Sequence, residues 1–176
     1  MMENDLRSTD RVKWVTVTAL LMAMNIALSS FGIPVPGGHL YLCDVIICTA
    51  SILLDPFGAF LVGGVGSFIG DMIFYPLPMF VSLVTHGLQA VVISLISHSH
   101  EKRGGSHFVY SLIAVLAGSV IMVTGYTLGK IFVYSTFEYA MLKLPYEIAQ
   151  ALLGAVGALI LCFKAGLVKI FKKTIS

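Results

Sequence analysis

A small set of polar side chains interrupts the apolar runs of this chain: Asp44, Asp71, Tyr75, His86, Gln89, Tyr126, Lys130, Glu147 and Gln150. Their spacing gathers them. His86 and Gln89 are three apart, Tyr126, Lys130 and Tyr134 are successively four apart, and Glu147, Gln150 and Gly154 follow the same rhythm, so each set lies on one face of a helix. Ionisable groups within apolar helices are expensive to keep and mark binding or relay sites, which makes Asp71 and His86 the leading functional candidates. An ion pair between Asp71 and Lys130 is the structural rival, and Asp44, Lys130 and Glu147 lie near enough to span ends to serve equally as interface residues. A second chemistry is open to Asp44 and Asp71 as the paired acid and base of an intramembrane aspartyl hydrolase. Residues 68 to 71 read Phe-Ile-Gly-Asp, however, and no further catalytic signature accompanies them. Cys43, Cys48 and Cys162 have no metal-ligand spacing and sit in apolar runs, where cysteine acts as a small hydrophobe, so no metal is expected.

The elements that must position these groups are membrane spans. Hydrophobic residues make up 57% of the 176 positions and charged residues 11%, with a mean hydropathy of +0.93. So few charges cannot cover a water-soluble globule of this size. A helix needs about 20 residues to cross the hydrocarbon layer. Six candidates run from Trp14 to Phe31, His39 to Leu54, Pro56 to Tyr75, Met79 to Ser97, Phe108 to Tyr134 and Tyr146 to Phe163. The fold class expected is therefore all-α: a polytopic membrane protein, a six-transmembrane-helix bundle whose second and third spans form a tight hairpin at Asp55-Pro56. The lead MMENDLRSTDRVK is too polar for a signal peptide, so the first span is read as retained. Arg7, Arg11, Lys13, Lys102, Arg103, Lys164, Lys169, Lys172 and Lys173 all fall on one side of this topology, and only Lys130 and Lys143 on the other. The positive-inside rule then puts both termini in the cytoplasm. Residues 1–13 form a cytoplasmic N-terminal segment, 14–163 the membrane domain and 164–176 a basic tail attracted to anionic lipid.

With that orientation the polar set gathers near the outer face, while the inner half is almost purely apolar. This describes a cup open to the outside, whereas a channel or stand-alone carrier needs a polar route along its whole length. A net charge of +2 gives no reason to expect nucleic acid. Ala19, Ala23 and Ala27 recur every fourth position and make a smooth strip, available to an external helix or to internal packing. The third span carries Gly58, Gly63, Gly64, Gly66 and Gly70, which read as close packing inside the bundle. The histidines of HSHEKRGGSH are expected to be solvated, and Trp14 to anchor an interface.

The alanine strip, PVPGGHLYLCD, DPFGAFLVGGVGSFIGD, YPLPMFVSLVTHGLQA and the six-span ending together resemble the S components, the substrate-binding membrane subunits of energy-coupling factor (ECF) transporters. The branch resembled is the riboflavin type, which also holds carriers of vitamin B6 and of the hydroxymethylpyrimidine precursor of thiamine. The resemblance implies a vitamin pocket near the outer face under a lid formed after the first span, here Pro34, Pro36, Gly37 and Gly38. It also implies that Ala19, Ala23 and Ala27 dock on a transmembrane coupling subunit, and that two cytoplasmic ATPase subunits drive uptake across a bacterial plasma membrane. The chain has no G-x-x-x-x-G-K-[ST] loop, so ATP would be hydrolysed by those partners and no cofactor or enzyme activity is expected here. A flat vitamin would stack on Tyr41, Tyr75 or Tyr126 while Asp44, Asp71, His86, Gln89, Lys130 and Gln150 supply the polar contacts. His86 stands where a lysine is expected in many relatives, which leaves the choice of vitamin open.

Overall fold

The structure is a computed structural model that describes residues 2–36 and 38–175. Gly37, one of the expected lid positions, lies outside the described residues. Five helical segments are long and apolar enough to cross a membrane, and a shorter apolar helix accompanies them. In chain order they are α1 (Met2–Ser29), the strands β1 (Gly32–Val35) and β2 (Gly38–Tyr41), α2 (Cys43–Leu53), α3 (Pro56–Phe74), α4 (Met79–His98), the short α5 (His100–Arg103), α6 (His107–Tyr134), α7 (Phe137–Lys164) and α8 (Leu167–Ile175).

Three boundaries differ by more than two residues from the sequence reading, the first being that α1 begins at Met2, ahead of the span expected from Trp14. The second span was expected from His39, but the helix begins at Cys43, because residues 38–41 pair with 32–35 as an antiparallel hairpin in the register Gly32 to Tyr41 and Pro34 to His39. The sixth was expected from Tyr146, but α7 begins at Phe137. Thr136 caps it, its hydroxyl accepting from the Tyr139 N–H at 3.3 Å, with Glu138 in the first turn. Pro145 lies inside that helix, where membrane helices tolerate it.

The turn expected between the second and third spans is present. α2 ends at Leu53, and Asp55 caps α3 by accepting from the Phe57 N–H, with Pro56 at the first helical position. Asp55 also accepts from the Trp14 indole at 2.7 Å, and the Trp14 and Phe57 rings stack, so α1 is tied to this corner.

α3 is interrupted by a π turn at Leu61–Val65. Such a turn breaks the regular hydrogen-bond ladder. Asn25 of α1 meets the disturbance by donating to the Val62 carbonyl at 2.7 Å and to Ser67 at 3.2 Å. One face of α1 thus packs on α3 through Asn25 and Ser29, while Ala19, Ala23 and Ala27 on another face are exposed.

Across the bundle, α3 and α4 come close enough that a Cβ at Gly63 would stand 2.7 Å from the Ala90 Cβ. The main apolar cluster joins Cys48, Ile52, Ile93, Ala114, Val115, Ala155, Ala158 and Cys162 from α2, α4, α6 and α7. The half of the bundle built on this cluster is not wholly apolar. Ser51 and Ser94 donate to the carbonyls of Ile47 and Leu54, and Ser97 bonds Ser111, so these hydroxyls are used up locally. The histidines of residues 98–107 are half-buried rather than solvated: His100 stacks on His107 at 4.1 Å, and His107 meets Phe163 edge-on.

Candidate functional site

The final turns of α1, α3 and α6, the first turns of α2, α4 and α7, and strand β2 converge on a cavity of about 260 Å³. Successive passes run in opposite directions, so ends of one set and starts of the other meet at one end of the bundle. Tyr41, Tyr75, Tyr126, Tyr134, Tyr139 and Tyr146 line it, out of seven tyrosines in the whole chain. Gathered around the cavity from β2, the end of α3, α6 and α7, these rings give flat apolar faces with polar rims, suited to a planar ligand.

Asp71 projects from α3 into this cavity. Its carboxylate accepts from the Ser82 hydroxyl, and Ser82 and Tyr126 are bonded at 2.5 Å. Serine has one proton, so with Ser82 donating to Asp71 the phenol of Tyr126 donates to Ser82. The result is a relay from an aromatic wall to a carboxylate.

Lys130 opens the π turn Lys130–Tyr134 that ends α6, closed by the Ser135 N–H on the Lys130 carbonyl at 2.9 Å. Its ammonium pairs with Glu147 and stands 5.2 Å from the Tyr126 ring centre and 5.9 Å from that of Tyr134. The Asp71–Lys130 pair considered from sequence does not form. The early start of α7 explains this: Glu147 lies ten residues, about 15 Å, along the helix, and reaches the cavity instead of the interface.

Beneath the cavity wall lies a second polar layer. His86, which lines the cavity, donates from Nδ1 to the Gln89 Oε1 at 2.7 Å; Gln89 donates onward to Asp44 at 3.2 Å, and Gln150 donates to the other Asp44 oxygen at 2.7 Å. Asp44 and Gln89 therefore support the cavity from below rather than forming its wall. The chain Asp44–Gln89 makes the His86 Nδ1 a donor and leaves Nε2 outside this run of hydrogen bonds. Cys43, Asp44 and His86 bring metal-ligand atoms within 4.8 Å of one another. Both Asp44 oxygens and the His86 Nδ1 already have hydrogen-bond partners, so this cluster is satisfied as it stands.

The hairpin covers the cavity through β2 rather than through its prolines. His39 and Tyr41 line the space, whereas Pro34 and Pro36 are exposed and do not. Two α7 side chains hold the strand by its backbone: Lys143 donates to the His39 carbonyl at 2.8 Å, and Gln150 accepts from the Tyr41 N–H at 2.9 Å. Burial, and then the Asp71 carboxylate, push the Tyr41 phenol up from its ordinary 10.0, so it remains a neutral donor.

Of the residues singled out from sequence, Tyr41, Asp71, Tyr75, His86, Tyr126, Lys130, Tyr134, Glu147 and Gln150 reach the cavity. Sequence reasoning left Ser29, His39, Tyr139, Lys143 and Tyr146 out of the site, although they line it. The signal for the last three was the Thr136 cap with Glu138, which starts α7 early enough to put Tyr139, Lys143, Tyr146, Glu147 and Gln150 at helical intervals.

The family model described as "ECF-type riboflavin transporter, S component" matches residues 9–168. The chain belongs to this S-component family. It is also similar to a protein from Pyrococcus woesei described as "Uncharacterized protein in gap 3'region", at 29% identity over 142 residues, 81% of this chain and 87% of that protein. S components are the substrate-binding membrane subunits of a transporter and not enzymes, and the apolar helices fit that assignment. Each aspartate of the hydrolase alternative has hydrogen-bond partners of its own. Asp44 is engaged by two amides and Asp71 by a hydroxyl, and no hydrogen bond joins the two carboxylates among the described residues.

Proposed function

We propose that this S component captures a B vitamin or vitamin precursor in the tyrosine-walled cavity. A compound of the vitamin B6 or hydroxymethylpyrimidine type stands first among the candidates, with riboflavin third. The observation that carries this is one cavity of about 260 Å³ combining six tyrosine rings with Asp71, His86 and the Lys130–Glu147 pair. Few polar groups in an apolar, ring-lined space fix a ligand's orientation, and leaving any of them unpaired disfavours close analogues by about 1–3 kcal/mol each.

In this reading α2 joins the five longer segments as a sixth crossing, both termini face the cytoplasm and the cavity faces outward, as the lysine and arginine placement supports. The shortness of α2 suits a helix shielded by its neighbours. The exposed strip Ala19, Ala23 and Ala27 receives the transmembrane coupling subunit, and two ATPase subunits hydrolyse the ATP that drives uptake across the cell membrane. The hairpin with Pro34, Pro36 and Gly38 opens and closes the cavity, with His39 and Tyr41 as its ligand-facing residues, and the lid role expected of Gly37 belongs to the same proposal.

The test is to purify the protein in detergent, identify small molecules that travel with it by mass spectrometry, and titrate the vitamins calorimetrically. A vitamin-class compound bound one to one, and weakened at least tenfold by Asp71→Ala with normal membrane insertion, is the expected result. Absence of binding by every B vitamin and precursor tried refutes the reading.

A further inference from the structure

Four charged side chains of this chain line the cavity: Asp71, Lys130, Lys143 and Glu147. Lys130 and Glu147 answer one another as an ion pair. The other two form no ion pair among the described residues. Asp71 accepts from the Ser82 hydroxyl, and Lys143 donates to the backbone carbonyl of His39. Asp44, one layer deeper, is met by two amides, with the His86 Nδ1 3.9 Å from it. Lys143 is only 8% exposed, and a charge withdrawn from water without an opposite charge is poorly accommodated. A negative group on α3 and a positive group on α7 thus face one space, neither of them in an ion pair, with His86 the titratable neighbour of Asp71.

We propose that the ligand supplies an opposite charge to each: it is a dipolar nitrogen heteroaromatic, with a protonated ring nitrogen donating to Asp71 and an ionised ring hydroxyl accepting from Lys143, its faces against the tyrosines. The inference rests on the small-vitamin reading and narrows it. A hydroxypyridine, which near neutrality exists largely as a pyridinium phenolate, carries both features on one flat ring. An aminopyrimidine offers the donor edge without the anion, and the tricyclic flavin ring is uncharged. Lys143 has three N–H bonds, so it holds the ligand oxygen with one while keeping another on the His39 carbonyl. Ligand and covering strand then share one ammonium, which makes Lys143 a specificity-determining residue that also reports ligand arrival to β2.

Calorimetric titration of the detergent-purified full chain tests this with four probes: pyridoxine, its ring-hydroxyl methyl ether, 4-amino-5-hydroxymethyl-2-methylpyrimidine and riboflavin. Pyridoxine is expected to bind tightest. Lys143→Met weakens it about tenfold to a hundredfold, as for loss of a charged hydrogen bond, while the methyl ether, already weak, changes little. Lys143→Arg recovers part of the loss, and Asp71→Asn weakens pyridoxine without altering the size-exclusion profile. Tighter binding of the pyrimidine or of riboflavin by the unmodified protein overturns the dipolar-ligand proposal and leaves the vitamin reading standing. Equal fractional losses for pyridoxine and its ether in Lys143→Met also overturn it, because Lys143 then acts on the hairpin alone. No binding by any probe or other B vitamin removes both.

Discussion

Ser82 has one proton and two neighbours, Asp71 and Tyr126, that depend on its oxygen. Replacing it by alanine strands a carboxylate and a phenol together. Ser82→Ala is therefore expected to lower stability by about 1–3 kcal/mol, seen as a reduced unfolding midpoint in detergent, while Ser82→Thr retains most of it. An alanine variant as stable as the parent contradicts the relay. The buried Lys130–Glu147 pair predicts an asymmetric response. Glu147→Leu alone leaves an uncompensated ammonium and destabilises by about 3–5 kcal/mol, whereas Lys130→Met with Glu147→Leu recovers much of that loss. Thermal unfolding of the two variants checks the order, and a double variant no better than the single one removes the pair from the stability account. These partners were only partly legible in the sequence. Asp71, Tyr126 and Lys130 declared themselves by depth and by four-residue spacing, but which acid meets which base depends on helix rotation and on where α7 starts. Ser82 gave no signal at all, since a serine in an apolar helix usually bonds its own backbone, as Ser51 does here.

At the scale of elements, two glycines show how closely the helices approach. A Cβ on Gly63 would stand 2.7 Å from Ala90, and one on Gly154 would stand 2.6 Å from the Cβ of Asp44. Gly63→Leu is expected to prevent accumulation of folded protein, because it forces apart α3 and α4, which carry Asp71 and His86. Gly154→Ala displaces Asp44 and with it the Gln89–His86 chain, so its main effect is expected on ligand affinity. Expression level with size-exclusion profile checks the first, and titration with the co-purifying ligand the second. A wild-type profile for Gly63→Leu or unchanged affinity for Gly154→Ala overturns the corresponding statement. The glycine-rich character of α3 was plain in the sequence and its packing role follows directly. The hairpin was not. Residues 32–38 contain two prolines and three glycines and read as a loop, and residues 39–41 read as the start of a span. Besides pairing with β1, the backbone of β2 is held by Lys143 and Gln150, more than a hundred residues away. Long-range pairing of that kind leaves no local pattern to find.

For the whole molecule, polar groups collect at one end and the opposite end carries most of the lysines and arginines. If the termini face the cytoplasm, a cysteine at Thr136 is labelled by an impermeant thiol reagent in intact cells, and one at Lys102 only after permeabilisation. The reverse result inverts the topology. The native cysteines are buried, so the introduced ones dominate the readout. Ala23→Trp roughens the exposed strip of α1 and is expected to abolish capture by the partner complex while ligand titration stays unchanged. Loss of both, or of neither, denies the strip its docking role. The chain's single tryptophan, Trp14, is locked against Phe57 and Asp55 at the end of the bundle remote from the cavity. Indole emission is thus a poor reporter of occupancy in this protein. Filling the cavity should alter tyrosine absorbance and circular dichroism while the indole spectrum stays still, and a fluorescent sensor of binding has to be built by moving the tryptophan, for example to Tyr134 in a Trp14→Phe background.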